Sequence, residues 1–260
     1  MIRRTWAYYR QLGTEVPGLR AIAVTSPEEL AAAKELHARS YRALGIVTDA
    51  DLASDSLQIS MAEDPHQAHA VYFSVLQHSA GVERAVAGAR IICACPGKGL
   101  DSFPTYVNQD LYPAVRDQLA VLDPAGCGEI SALVREPGVS GKATLMIYRS
   151  IWHYSLSEGY ARLLVSCDAR LYRRCKMIFG AAWQRAGPDG YSRNVLVVPV
   201  VIDIPSSLDE ALRLSRVNPV QRRVKRKALE FFVRGLPESA VGPAHRALID
   251  RYRLDTSGVS

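Results

Sequence analysis

A glutamate on one predicted strand, an arginine on another and a glycine-punctuated turn are the residues of this chain whose types and spacing suit chemistry. Glu129 and Ser131 share one face of a strand predicted over 129–134, because successive strand side chains alternate between faces. If that face is buried, the Glu129 carboxyl is held above its ordinary pKa and can take a proton from an attacking nucleophile. The same carboxylate can instead form a structural ion pair with Arg90, on a strand predicted over 85–94. A pair lining a pocket would do both. Ser131 can orient water or a substrate, or simply bond backbone. Beyond this strand come Arg135, Gly138, Ser140, Gly141 and Lys142, then a helix predicted over 142–158. A helix N-terminus offers unpaired N–H groups and the positive end of its dipole, which suits phosphate. The two glycines allow close backbone approach, Ser140 adds a hydroxyl, and Arg135 and Lys142 add charge. The turn has neither the Gly-Lys-Ser/Thr ending of a nucleotide P-loop nor the Gly-x-Gly-x-x-Gly of a dinucleotide site.

The elements that must position these residues follow from pattern. Leu19 to Val24 is a short apolar strand. Ser26, Pro27 and Glu29 open a helix as N-cap, N1 and N3, and Gly45 closes it. Residues 46–67 are acidic and irregular. Strands over 70–76 and 85–94, joined by a turn around Gly81, form an antiparallel pair. A loop over 96–106 precedes a helix over 107–121, with Leu111, Val115, Leu119 and Val121 inward. After the turn and long helix come a strand over 162–166, a helix over 169–179 capped by Asp168, and a β-branched strand over 195–204. Helices over 205–214, from Pro219 to Gly235 and over 244–252 complete the chain. The expectation is an α/β fold: a mixed central sheet flanked by helices, antiparallel at first and with a later β-α-β unit.

Composition narrows the class. With 260 residues, 48% hydrophobic and 22% charged, the chain can bury a full core. No stretch reaches the roughly 20 apolar residues that span a bilayer. Arg3 and Arg4 have no apolar region behind them, and five cysteines without framework spacing do not suggest disulfides, so a cytoplasmic protein is expected. A metal site from Cys93, Cys95, His66 and His69 would need convergence that neither pair's spacing predicts, so no metal is expected. The remaining cysteines and His153 are read as packing. The net charge of +6 is concentrated at Arg170, Arg173, Arg174 and Lys176, and between Arg213 and Arg234. Such patches attract anions or are simply solvated faces.

The turn Arg135-x-x-Gly138-x-Ser140 resembles the acyl-CoA-binding turn of the GNAT superfamily, Arg/Gln-x-x-Gly-x-Gly/Ala, with Ser140 in its last place. Gly88-Ala-Arg90-Ile91 resembles the Gly-x-Arg-Leu strand of acyl-homoserine-lactone autoinducer synthases. Glu129-Ile-Ser131-Ala-Leu133 resembles their Glu-x-Ser-Arg-Phe strand, with Ala132 where they carry Arg. The helix carrying Arg39, Tyr41 and Arg42 stands where their Arg-x-x-x-Phe helix stands. Related N-acyl amino acid synthases share the layout. The resemblance covers roughly residues 20–205 and implies a GNAT-like fold: an N-terminal arm over 1–18, an acyltransferase domain over 19–205, and a helical, basic C-terminal extension over 206–260 packed on it. It implies an N-acyltransferase that moves a fatty acyl group from a thioester, on acyl carrier protein phosphopantetheine or CoA, to the amine of an amino acid or similar small acceptor. Glu129, Arg90 and Ser131 would be catalytic. Leu133, by its backbone N–H, would polarise the thioester, and Arg135, Gly138, Ser140, Gly141 and Lys142 would hold the donor. Arg39, Tyr41 and Asp49 would face the acceptor. Tyr148 and Tyr172 are candidates, by type alone, to protonate the leaving thiolate. Acyl carrier protein, being acidic, suits the basic patches. The alternatives are a small-acyl acetyltransferase, or a non-enzymatic binder of acyl thioesters or nucleic acid. Nucleic acid is not the expected partner, since Phe231 and Phe232 in the basic helix look like core.

Overall fold

A computed structural model describes residues 17–43, 45, 64–79, 81–192, 195–216, 219–236 and 242–252. The first strand, β1 (Leu19–Ala23), leads into α1 (Pro27–Ala43). The start of α1 is a capping box. The Glu29 N–H bonds to Ser26 Oγ at 3.2 Å, and the Thr25 and Ser26 N–H groups bond back to Glu29 Oε2 at 2.8 and 3.2 Å. Strands β2 (Ala70–Ser79) and β3 (Val82–Cys93) form the hairpin expected around Gly81. Where one helix was predicted over 107–121, two short ones stand, α2 (Pro104–Asn108) and α3 (Pro113–Ala120). Pro113 explains the break: its ring keeps Tyr112 out of the helical region, at φ −57° and ψ 138°. The apolar spacing also misplaced Val121, which is 83% exposed.

The chain continues through β4 (Cys127–Arg135), α4 (Gly141–Ser157), β5 (Arg162–Cys167) and α5 (Ala169–Phe179). Asp168 caps α5 by accepting from the N–H groups of Arg170 and Leu171. Two three-residue strands, β6 (Trp183–Arg185) and β7 (Gly190–Ser192), have no counterpart in the sequence reading, being too short to show periodicity. Then come β8 (Val195–Asp203), α6 (Ile204–Arg216), α7 (Pro219–Val233) and α8 (Pro243–Tyr252).

The eight-stranded sheet runs β1-β2-β3-β4-β5-β8-β6, with β7 on β8. Strands β1 to β4 pair antiparallel with one another in chain order, β4 and β5 are parallel, and β8 is antiparallel to both β5 and β6. The β4-α4-β5 crossover supplies the parallel pair. Successive residues of β5 serve opposite faces. Leu163 and Val165 join the larger core, with Leu145 of α4, Ile178 of α5 and Leu208 of α6. Leu164 joins a second cluster with Phe103, Val115 and Leu119. Phe231, Phe232 and Ile249 are part of the larger core. His153 on α4 ties α7 down through a 2.6 Å bond between its Nε2 and the Phe232 carbonyl. Burial lowers its pKa to about 4, so the ring is neutral and donates.

Candidate active site

The site lies where the parallel pair comes apart. β4 and β5 pair from Cys127↔Arg162 to Ile130↔Val165 and no further. Just beyond, Ala132 takes φ 55°, a left-handed conformation that costs an L-residue about 1–2 kcal/mol. The β3–β4 register shifts opposite it, between Gly88 and Arg90. Such a bulge turns a strand away from its neighbour. Ser131, Ala132 and Leu133 on one lip, and Ser166 and Asp168 on the other, line a cavity of about 550 Å³. Lys34, Asp64, Tyr72, Arg90 and Glu129 form its polar end, while Leu163, Val165, Leu171, Phe179, Trp183 and Phe232 form apolar wall.

Glu129 is 4% exposed. Thr105, in the first turn of α2, holds both its oxygens: the backbone N–H donates to Oε2 at 2.8 Å and Oγ1 donates to Oε1 at 2.9 Å. Thr105 Oγ1 also lies 2.9 Å from Ser166 Oγ. Burial raises the Glu129 pKa to about 7, against the pull of the two Thr105 bonds and of the Arg90 charge. A carboxyl so placed exchanges a proton near neutral pH.

Arg90, whose charge acts on Glu129, also has a carboxylate partner of its own. Among the described residues Arg90 pairs with Asp64, and it donates to Tyr72 Oη at 3.2 Å. Tyr72 Oη in turn donates to Asp64 Oδ2 at 2.6 Å. Burial pushes the Tyr72 phenol up to about 12, so it stays protonated. Ser131 stands opposite Arg90 in the β3–β4 register, on the cavity wall.

At the turn, Gly138 has φ 80°, and a side chain built there would meet open space. Ser140 caps α4 by accepting from the Lys142 N–H at 3.2 Å. Arg135 is exposed and braces the turn by donating to the carbonyls of Glu136 and Val139. Gly141 opens α4. The Lys142 ammonium is turned inward rather than to the surface: the residue is 4% exposed, with Nζ 6.0 Å from the Phe231 ring centre. Charge at the surface of the turn therefore comes from Arg135.

Of the residues assigned to the acceptor, Tyr41 lies on the cavity wall, its ring 3.9 Å from that of His37. Arg39 lies off the wall and pairs with Glu35 and, at 3.0 Å, with Glu136. Asp49 falls outside the described residues. Tyr148 is on the wall, whereas Tyr172 packs at the core margin. Cys95 Sγ lies 3.3 Å from His69 Nε2, and Cys93 Sγ 3.1 Å from Tyr160 Oη. Among the described residues no three His, Cys, Asp or Glu side chains gather as a metal site. Residue type and spacing do not single out Thr105, Ser166, Asp64, Tyr72 or Lys34 as site residues. Only Thr105 carried a usable signal: Pro104 marks a helix start, where N–H groups are unpaired.

Sheet order, the split of the parallel pair and the turn that follows β4 give the chain a GNAT-like fold, a mixed central sheet flanked by helices. Among solved structures it is similar to FeeM, an N-acyl amino acid synthase from uncultured soil microbes. The match has a TM-score of 0.56 at 16% identity, and covers 78% of this chain and 100% of that one. It also matches the acyl-homoserine-lactone synthase LasI (TM-score 0.47, 14% identity, 72% and 90% covered) and the PaiA N-acetyltransferase from Thermoplasma acidophilum (0.44, 8%, 71% and 98%). No protein-family model and no curated protein matches the sequence. Among the described residues no helix is long and apolar enough to cross a membrane.

Proposed function

We propose that the protein is an N-acyltransferase that moves a fatty acyl group from a thioester to the amine of a small acceptor bearing a carboxylate, such as an amino acid. One observation carries this reading: a single cavity joins a buried carboxyl, its pKa pushed up by burial to about 7, to an apolar wall, across the gap between β4 and β5. The likeness of fold to an N-acyl amino acid synthase supports the same reaction class.

In this reading the donor's phosphates lie on the turn from Gly138 to Gly141 at the N-terminus of α4. The thioester enters the gap, where a backbone N–H near Leu133, freed from the ladder by the bulge, polarises its carbonyl. The acyl chain continues along Val165, Leu171 and Phe179. Glu129 takes the proton that the amine loses as it attacks. Arg170, Arg173 and Arg174 are exposed on α5 beside the mouth-lining Asp168 and favour an acidic carrier protein as the donor's bearer. Thiol release from acetyl, octanoyl and palmitoyl thioesters of CoA and of acyl carrier protein, over a panel of amino acids, tests the assignment. Release should be fastest with a long chain. No release with any donor would sink the reading.

The acceptor's carboxylate is assigned to Lys34 and Arg90. Asp64 pairs with Arg90 at the polar end, and the Lys34 ammonium, which carries three N–H donors, gives one of them to Gln67 Oε1. Burial, then the charge of Arg90, lowers the Lys34 pKa, as expected for an ammonium placed to gain an anion. Replacing Lys34 with Met should raise KM for amino acids about 10-fold or more, the loss of one charge-assisted hydrogen bond. The corresponding decarboxylated amines should show no such change.

The turn gives a second expected result. Gly138→Asp forces a side chain into φ 80° and sets a carboxylate beside the donor's phosphates. The carboxylate repels those phosphates, so donor KM should rise by about tenfold or more while acceptor KM holds; the strain, about 1–2 kcal/mol, is common to free and donor-bound protein and lowers stability instead. Equal changes in both would place the phosphates elsewhere.

A further inference from the structure

We propose that Ser166 gives the departing thiolate its proton, at the end of a hydroxyl relay that runs from Glu129 through Thr105; the proposal rests on the acyl-transfer reading above. Thr105 Oγ1 is 2.9 Å from Glu129 Oε1 and 2.9 Å from Ser166 Oγ, so the three oxygens form one chain. The Thr105 N–H holds the other carboxyl oxygen at 2.8 Å, which keeps the carboxyl from turning away. Glu129 stands on β4 and Ser166 on β5, one residue past Val165, where the ladder between the strands has ended. Both line the cavity. The relay therefore spans the gap that the thioester must enter. The amine is served at one end and the sulfur at the other.

The bookkeeping of protons closes. The neutral amine attacks the thioester carbon, the C–N bond forms and the C–S bond breaks, leaving a thiolate. The surplus amine proton passes to the Glu129 carboxylate. While Glu129 is ionised, the Thr105 hydroxyl donates to it and the Ser166 hydroxyl donates to Thr105. Once Glu129 is protonated it becomes the donor to Thr105, and both hydroxyls rotate outward. Ser166 then passes its proton to sulfur, Thr105 re-protonates Ser166, and Glu129 re-protonates Thr105. The products are an amide and a thiol, and Glu129 is ionised again. No proton need leave the gap.

A leaving-group comparison tests this on the full-length protein. The chemical step is followed in single turnovers from a pantetheine thioester, whose thiolate is basic, and from an aryl thioester, whose thiolate departs without help. Ser166→Ala and Thr105→Val should each slow the pantetheine donor by about 10²-fold, the lower end of what proton transfer to a reacting group contributes. Ser166→Ala should leave the aryl donor near the wild-type rate, and Thr105→Ser, which keeps the hydroxyl, should restore the pantetheine rate. Equal slowing of both donors by Ser166→Ala would overturn the relay, as would a wild-type rate with both. Wild-type protein that transfers from neither donor would instead overturn the acyltransferase reading itself.

Discussion

Replacing Glu129 with glutamine is expected to slow acyl transfer by about 10²–10⁴-fold, the usual contribution of a positioned general base, with donor binding kept. Glutamine fills the same space. Its carbonyl can accept from the Thr105 N–H, and its amide can donate to Thr105 Oγ1, so the site stays satisfied while the base is lost. Two pH dependences accompany the substitution. In the wild type, kcat/KM should rise with pH through about 7, as the carboxyl ionises; that limb should vanish in the variant. Stability should move the opposite way. The folded pKa lies above the ordinary 4.5, so the protonated carboxyl favours the folded state. That contribution is complete below about pH 4.5 and is lost as pH rises through about 7. Ionising the group costs about 3 kcal/mol, so thermal melts should show the glutamine variant gaining on the wild type across that window. Thr105→Val should share part of the kinetic loss but not the neutral-pH gain in stability, since it leaves a buried carboxyl with fewer donors.

The second large effect concerns the acyl chain. Leu171 is half-buried on α5 and lines the inner cavity, so a larger side chain there narrows it without overfilling a sealed core. Leu171→Trp should leave transfer of butyryl groups near the wild-type level and reduce kcat/KM for palmitoyl about 10²-fold. The figure follows from excluding about four methylenes at about 0.8 kcal/mol each. The retained short-chain activity reports that the variant is folded. If long and short donors lost activity together, the chain would not run along α5.

The parts of this site that were legible in the sequence are those built by local rules. Ser26 with Glu29, and Asp168, each announce a helix start by residue type, and each accepts an N–H of the first turn. The hairpin over 70–93 and the β4-α4-β5 unit follow from alternation, a turn glycine and helical spacing. What escaped was set by contacts far apart along the chain. Thr105 meets Glu129 across 24 positions and Ser166 across 61; neither residue type, alone, distinguishes a relay from a surface hydroxyl. Charge alone does not show that Arg90 pairs with Asp64. The packing of the segment before β2 decides it, with Tyr72 bonded to the same Asp64 oxygen. The break at Pro113 shows the converse failure, where apolar spacing over 107–121 masked a proline whose effect on Tyr112 is purely steric.

The most direct measurement is mass spectrometry of the product formed when the protein is given a palmitoyl thioester and an amino acid. The account predicts the N-palmitoyl amino acid with one equivalent of free thiol, formed by the wild type and nearly absent with Glu129→Gln. Free palmitate in place of the amide, or an amide formed equally well by the glutamine variant, would contradict it.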